Sequence, residues 1–228
     1  MRFAVLGSGS QGNGTLIASD STYVLVDCGF SLRETERRLV RLGVSPHQLS
    51  AILVTHEHAD HVHGVGLLSR RYNLPVYMSR GTQRGMRKPL EPAGFVAGGE
   101  TLQIGALSIS VTRVAHDAQE PTQYVFSDGQ RRFGLLTDLG SYCDGVLDSY
   151  RGLDALMIEA NHCRDMLARG HYPYFLKQRV GGQEGHLNNH QAASLVAELG
   201  WQDLQHLVLA HLSSKNNLPQ LARQCFVD

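Results

Sequence analysis

Between Thr55 and His61 the chain reads Thr-His-Glu-His-Ala-Asp-His, whose His-x-His-x-Asp-His pattern sets three imidazoles and the Asp60 carboxylate within six positions. Such a cluster packs badly in a core. Imidazole nitrogen and carboxylate oxygen are instead the donors that zinc, manganese and iron take from proteins. One ion normally draws its ligands from separated parts of a chain, so four donors this close suggest two ions side by side. The preceding run, Ala51-Ile52-Leu53-Val54, is apolar and partly β-branched and reads as a buried strand. The cluster therefore sits where a strand gives way to a loop. Two ions need roughly three protein ligands each plus bridging groups, so the rest must come from later in the chain. Three positions qualify on local pattern. His116 follows Thr112-Arg113-Val114-Ala115, Asp138 follows Phe133-Gly134-Leu135-Leu136-Thr137, and His211 follows Leu207-Val208-Leu209-Ala210. Each is a ligand-type residue at the carboxyl end of an expected strand.

His56-x-His58-x-Asp60-His61 resembles the signature of the metallo-β-lactamase-fold hydrolases. The opening Leu6-Gly7-Ser8-Gly9-Ser10-Gln11-Gly12-Asn13 narrows the match, as do Val26-Asp27-Cys28-Gly29, Glu159-Ala160-Asn161-His162, Gly185-His186-Leu187-Asn188-Asn189 and Ala210-His211-Leu212-Ser213. Together these are similar to the YycJ (WalJ) group of bacterial proteins, over essentially the whole chain. The resemblance implies an α/β fold, the four-layered αββα sandwich, as a single domain over 1–228 with a dinuclear metal site at one edge. It implies that His56, His58 and His116 hold one ion, that Asp60, His61 and His211 hold the other, and that Asp138 bridges them. Zinc is favoured and manganese is the alternative. His186 resembles the histidine that nucleases of this fold use to protonate a leaving oxygen, and Glu159 the acidic residue that orients it. His162 is the second candidate for that proton, and Asp60 joins these three as a catalytic candidate. Asp27 is expected to fix the loop rather than to bind metal.

The implied chemistry is attack by a hydroxide bridging the two ions on phosphorus or a carbonyl carbon, because bound metal lowers the pKa of water. Enzymes of this fold that open β-lactams usually lack a histidine directly after the aspartate and often use a cysteine ligand. With His61 and Asp138 in those roles, penicillin hydrolysis is disfavoured. The group's association with 5′-to-3′ exonuclease action makes DNA the expected substrate. A glyoxalase-like thioesterase or lactonase, which shares the seven ligands, is the alternative.

Composition bounds the rest. The 228 residues fit one α/β domain, and 21 basic against 21 acidic residues exclude a uniformly basic nucleic-acid-coating protein. No apolar run approaches a membrane span and Met1–Gly7 does not read as a signal peptide, so a cytoplasmic protein is expected. The four cysteines are dispersed without a C-x-x-C pair, which argues against a disulfide framework or a zinc ribbon. Between His61 and Leu90 there is no acidic residue, whereas Arg70, Arg71, Arg80, Arg84, Arg87 and Lys88 fall within it. That run can be a solvated helix face or a phosphate-contacting surface. Ser10, Asn13, Arg84, Arg87, Lys88, Asn188 and Ser213 are the candidate substrate contacts. His47 and His63 read as exposed loop residues, His206 as structural, and His171 and His190 carry no claim.

The elements that must position these residues follow from pattern. Strands are expected at Phe3–Leu6, Thr15–Ala18, Tyr23–Val26, Pro75–Met78, Thr101–Ile104, Leu107–Val114, Gln123–Ser127, Arg132–Thr137, Ala155–Ile158 and His206–Leu209. Helices are expected over Ser31–Leu42, Val62–Tyr72, Gly81–Leu90, Tyr142–Tyr150, Asn189–Leu199 and Leu218–Cys225, with two partly helical segments between Ile158 and Asn189. The family pattern continues beyond the last helix into a further strand, whereas this chain stops at Asp228.

Overall fold

Short β-branched runs separated by glycine and polar turns build a first sheet in the order β1-β2-β3-β4-β5-β6, formed by Arg2–Gly7, Gly14–Ser19, Thr22–Val26, Ala51–Leu53, Val76–Met78 and Gly94–Phe95. The structure, a computed structural model, describes residues 1–200 and 202–227. By their contacts these fall into two compact units. One comprises Met1–Arg113, Ala118–Thr122 and Phe126–Gln130, and the other comprises Val114–Asp117, Gln123–Val125 and Arg131–Asp228.

In the first unit β1, β2 and β3 are antiparallel, with Phe3 opposite Ile17 and Thr15 opposite Val26. From β3 to β6 the pairing is parallel. Parallel neighbours require crossovers, which here are helical: α1 (Leu32–Arg41) before β4, α2 (Ala59–Val62) and α3 (Val65–Tyr72) before β5, and α4 (Arg80–Gly85) before β6. Ser31 caps α1 by accepting from Glu34 N–H, and Leu39 from its inner face is fully buried. A hairpin of β7 (Thr101–Ile104) and β8 (Leu107–Arg113) completes the unit's strands.

The strand β9 (Thr122–Ser127) gives residues to both units, and the second sheet runs β12-β11-β10-β9-β8-β7. In the second unit β10 (Arg132–Leu136), α5 (Asp144–Tyr150), β11 (Ala155–Glu159), α6 (Arg164–Arg169), α7 (Tyr174–Val180), α8 (Asn189–Leu199), β12 (His206–Ala210) and α9 (Pro219–Gln224) follow in order. The strands β10, β11 and β12 are parallel, with Leu136 opposite Ile158 and Glu159 opposite Ala210. Register and direction together bring the residues following all three strands out at one end. Leu156, Ile158, Leu187, Ala192 and Leu195 form the buried seam beneath them.

Two expectations need correction, and one strand went unread. The helix over Val62–Tyr72 is two helices, because Gly64 N–H is taken by Cys28 O at 2.7 Å and the chain turns there. The basic helix ends at Gly85 rather than Leu90; Met86 is already extended and Pro89 and Pro92 bar a restart. The two-residue strand β6 had no period to reveal it. Among the described residues, no helix is long and apolar enough to cross a membrane.

Candidate metal centre and proton donor

In the first unit His56 and His58 sit on the loop after β4, and Asp60 and His61 in the short α2 that follows it. Asp27, which directly follows β3, is buried and left-handed at φ 59°. Its Oδ1 accepts from Thr55 N–H at 2.8 Å, and its Oδ2 accepts from Thr55 Oγ1 and His61 Nδ1, both at 2.8 Å. Thr55 Oγ1 in turn lies 3.0 Å from His56 Nδ1. One carboxylate thereby holds both imidazoles as the tautomer protonated at Nδ1, with the Nε2 lone pair facing outward. Metal-ligating histidines are oriented in this way. His56 Nε2 and His58 Nδ1 are 3.0 Å apart. Two nitrogens on one tetrahedral zinc ion would lie about 3.3 Å apart, given Zn–N bonds of about 2.0–2.1 Å. Asp60 Oδ2 lies 3.7 Å from His61 Nε2, and the Asn13 amide nitrogen faces both acceptors at 3.2 and 2.9 Å. The donor set fits divalent metal.

The loop's path depends on close backbone approach. Asn13 N–H donates to Asp60 O and Cys28 N–H to His61 O, each at 2.8 Å. A Cβ on Gly29 would lie 1.7 Å from Asp60 O, so only glycine fits beneath the ligand loop.

In the second unit Asp138, Glu159, His186 and His211 each offer a ligand atom within 4.8 Å of the others. Asp138 and His211 are left-handed, at φ 56° and 50°. Asp27 shares this sparsely populated conformation, so three of the residues in and beside the candidate ligand groups are left-handed, a form of strain found at functional sites. His211 Nε2 is 3.5 Å from Asp138 Oδ1, and its Nδ1 is 3.3 Å from Glu159 Oε2. His116 donates from Nδ1 to Gly185 O at 3.0 Å, which directs Nε2 toward Asp138 Oδ1, 4.0 Å away. Burial, reinforced by the like charge of His186, depresses its pKa, although Asp138 opposes the shift.

Glu159 is fully buried and central. Its Oε1 accepts from Leu139 and Leu187 N–H at 2.9 and 3.0 Å, and its Oε2 lies 3.0 Å from His186 Nδ1. Burial alone would raise its pKa. The His186 charge and the hydrogen bonds from His186 and His211 outweigh that and hold it below the usual carboxylate range. His186 responds in the opposite sense: burial disfavours its cation, but Glu159 and Asp138 raise it above an ordinary imidazole. The loops carrying these groups interlock. A Cβ on Gly140 would meet Gly185 N at 2.4 Å, and Asn217 Nδ2 donates to Ala160 O at 2.7 Å and to Asn189 Oδ1 at 2.8 Å. Asn161 Nδ2 donates to His211 O at 2.9 Å.

The remaining candidates are placed as follows. His162 is buried beside the Glu159 cluster, and burial takes its pKa down to about 4. Asn13 is buried and engaged with the ligand loop, Asn188 caps α8, and Ser213 Oγ accepts from Asn216 N–H at 3.1 Å. Ser10 is exposed. Arg70, Arg71, Arg80, Arg84, Arg87 and Lys88 are all exposed; Arg71 lies 3.9 Å from Glu36, and Arg80 stacks over Phe95 at 4.2 Å. His47 packs edge-on to Tyr72, while His63 and His206 are exposed. The sequence reading missed Thr55 and Asn161, which touch ligand-type histidines. Their positions inside the quoted motifs were the only signal.

The Beta-lactamase superfamily domain matches residues 22–212. Over 228 residues the chain is 36% identical to "Exodeoxyribonuclease YycJ" of Bacillus anthracis, covering 98% of this chain and 86% of that protein. It is 34% identical to "Exodeoxyribonuclease WalJ" of Streptococcus pneumoniae (strain ATCC BAA-255 / R6), covering 100% and 87%. Among solved structures, the metallo-beta-lactamase fold protein YhfI from Bacillus subtilis superposes with a TM-score of 0.77 at 21% identity, over 98% of this chain and 91% of that one. Fold and site thus define a metal-dependent hydrolase on the metallo-β-lactamase fold. The chain belongs to the β-lactamase superfamily, within which its full-length similarity is to the YycJ/WalJ group.

Proposed function

We propose that this protein is a two-metal phosphodiesterase that degrades DNA exonucleolytically, in the 5′-to-3′ direction, in the cytoplasm. The observation that carries the reading is the fully buried Glu159 joined at 3.0 Å to the half-buried His186, which is set against Asp138. A phosphodiester's alkoxide leaving group needs a proton, and a histidine kept protonated by a buried carboxylate can supply it. Nuclease names on relatives that match the full chain at 34–36% identity support the same substrate class.

In this reading His56, His58 and His116 hold one ion, Asp60, His61 and His211 the other, and Asp138 serves both. Zinc is favoured by the histidine count, and manganese is the alternative. When bound, such ions supply Lewis acidity and an activated water. The chain's own residues do the remainder. Asp27 and Thr55 fix the tautomers of His56 and His61, and Gly185 O fixes that of His116. Glu159 orients His186 and His211, and His186 delivers its Nε2 proton to the departing oxygen. The exposed cations from Arg70 to Lys88 contact the DNA backbone.

One preparation assayed against double-stranded DNA, bis-p-nitrophenyl phosphate and S-lactoylglutathione tests the assignment. Cleavage of the first two, with 5′-labelled DNA releasing mononucleotide first, is the expected result. Hydrolysis of the thioester alone would replace the reading with a glyoxalase-like one.

A further inference from the structure

Beside the Glu159–His186 pair, and wholly within the second unit, lies a cavity of about 970 Å³ that the proposed chemistry leaves unused. Its walls come from the segments just past both catalytic candidates. His162 stands three residues beyond Glu159, and Asn188 stands two beyond His186; a β-bridge joins the two. The cavity is cationic on one side. Arg164 and Lys177 line it, with Glu198 on the same lining. Lys177 Nζ gives one proton to Ala168 O at 2.7 Å and keeps two, and among the described residues the Arg164 side chain makes no hydrogen bond or ion pair, so its guanidinium is available to a ligand. Tyr174, at the start of α7, also lines it and is 77% exposed, and among the described residues its ring has no aromatic or cationic partner. Finally, His162 is only 2% exposed, yet its Nδ1 has no hydrogen-bond partner. A buried polar group left unsatisfied costs stability unless something else meets it.

A guanidinium and an ammonium suit a phosphate, an exposed ring suits a base, and the volume exceeds what inorganic phosphate alone would fill. We infer that this cavity binds one nucleotide of a single DNA strand, with its phosphate on the Arg164 and Lys177 side, its base stacked on Tyr174, and His162 donating or accepting at the sugar or base. The inference rests on the nuclease reading and specifies where that enzyme grips the strand next to the cleaved bond. Stacking tolerates any base, so the site gives grip without sequence preference.

The test is equilibrium binding of deoxyadenosine 5′-monophosphate to the metal-loaded full chain, compared with inorganic phosphate. Arg164→Ala should weaken both ligands about tenfold. Tyr174→Ala should weaken only the nucleotide by about tenfold, with Tyr174→Phe restoring it. Ser194→Trp, placed on the exposed face of α8 where it lines the cavity, should fill it and abolish variant-sensitive binding without touching the core. Nucleotide affinities within twofold of wild type in all three variants would overturn the inference. Cleavage separates it from the nuclease reading. If wild type cleaves an oligodeoxynucleotide and the variants share its KM, the cavity is not a strand site, although the enzyme remains a nuclease. If wild type cleaves no nucleic acid yet binds the mononucleotide through Arg164 and Tyr174, the site stands and the nuclease reading falls.

Discussion

Replacing Asp27 by asparagine isolates how one buried carboxylate sets up the first ligand group. Asparagine tolerates the left-handed backbone that Asp27 adopts at φ 59°, so the exchange changes chemistry rather than conformation. The amide oxygen can go on accepting from Thr55 N–H. The amide nitrogen then replaces the oxygen that faces Thr55 Oγ1 and His61 Nδ1, both at 2.8 Å. An N–H donor there forces His61 to offer its Nδ1 lone pair and moves the ring proton to Nε2, the nitrogen assigned to metal. Loss of such a supporting contact costs about 10–100-fold in metal affinity, equivalent to about 1.4–2.7 kcal/mol. Zinc titration against a chromogenic chelator should show that loss at the His61 site directly and at the His56 site through Thr55. Urea unfolding of the metal-free variant should show a loss of about 1–3 kcal/mol from the mismatched buried pair. Unaltered zinc affinity in a folded Asp27→Asn protein would refute the argument that Asp27 sets the tautomer.

Other outcomes follow from the same geometry. His186→Ala should keep both metals and slow DNA cleavage by about a hundredfold or more, while an activated nitrophenyl ester, whose leaving group departs without a proton, suffers far less. Glu159→Gln should show the same selectivity in milder form; equal damage to both substrates would make His186 a ligand or a structural support. His162, whose folded-state pKa of about 4 lies below its ordinary 6.5, contributes stability that is fully present above pH 6.5 and is lost as pH falls toward 4. That amounts to about 3 kcal/mol across the interval. In urea melts between pH 7 and 4.5, His162→Gln should therefore lose less stability on acidification than wild type, and parallel curves would count against a buried neutral imidazole. Neutralising several of Arg70, Arg71, Arg80, Arg84, Arg87 and Lys88 should weaken DNA binding and reduce the salt slope by about 0.7–0.9 per lost phosphate contact, with bis-p-nitrophenyl phosphate turnover unchanged.

The elements that pattern revealed best are those whose local signals agree with their packing. The helix Asn189–Leu199 has the expected ends, because the Asn188–Gln191 capping box starts it, Gly200 stops it, and Ala192, Leu195, Val196 and Leu199 give one buried face. The buried strands before His56, Asp138 and Glu159, and the half-exposed strand before His211, were legible as apolar runs, and with them the placement of ligand-type residues at strand ends. The interruption at Gly64 was not, because its cause is a hydrogen bond to Cys28, 36 residues earlier in the chain. The cavity residues Arg164, Tyr174 and Lys177 were also invisible. They lie on two short helices whose only buried residue is Leu167, so no periodicity marked which face turns inward. Asp27 could be read as loop-fixing from its position, but that it serves two histidines at once is a fact of three dimensions.

The central claim is a dinuclear site built from His56, His58, Asp60, His61, His116, Asp138 and His211. Elemental analysis of metal-saturated protein after exhaustive desalting addresses it most directly, with Asp138→Ala and His116→Ala measured alongside. The account predicts two divalent ions per wild-type chain, loss of both on moderate chelation in Asp138→Ala, and retention of at least one in His116→Ala. A ceiling of one ion per chain at saturation, or equal losses in the two variants, would contradict it.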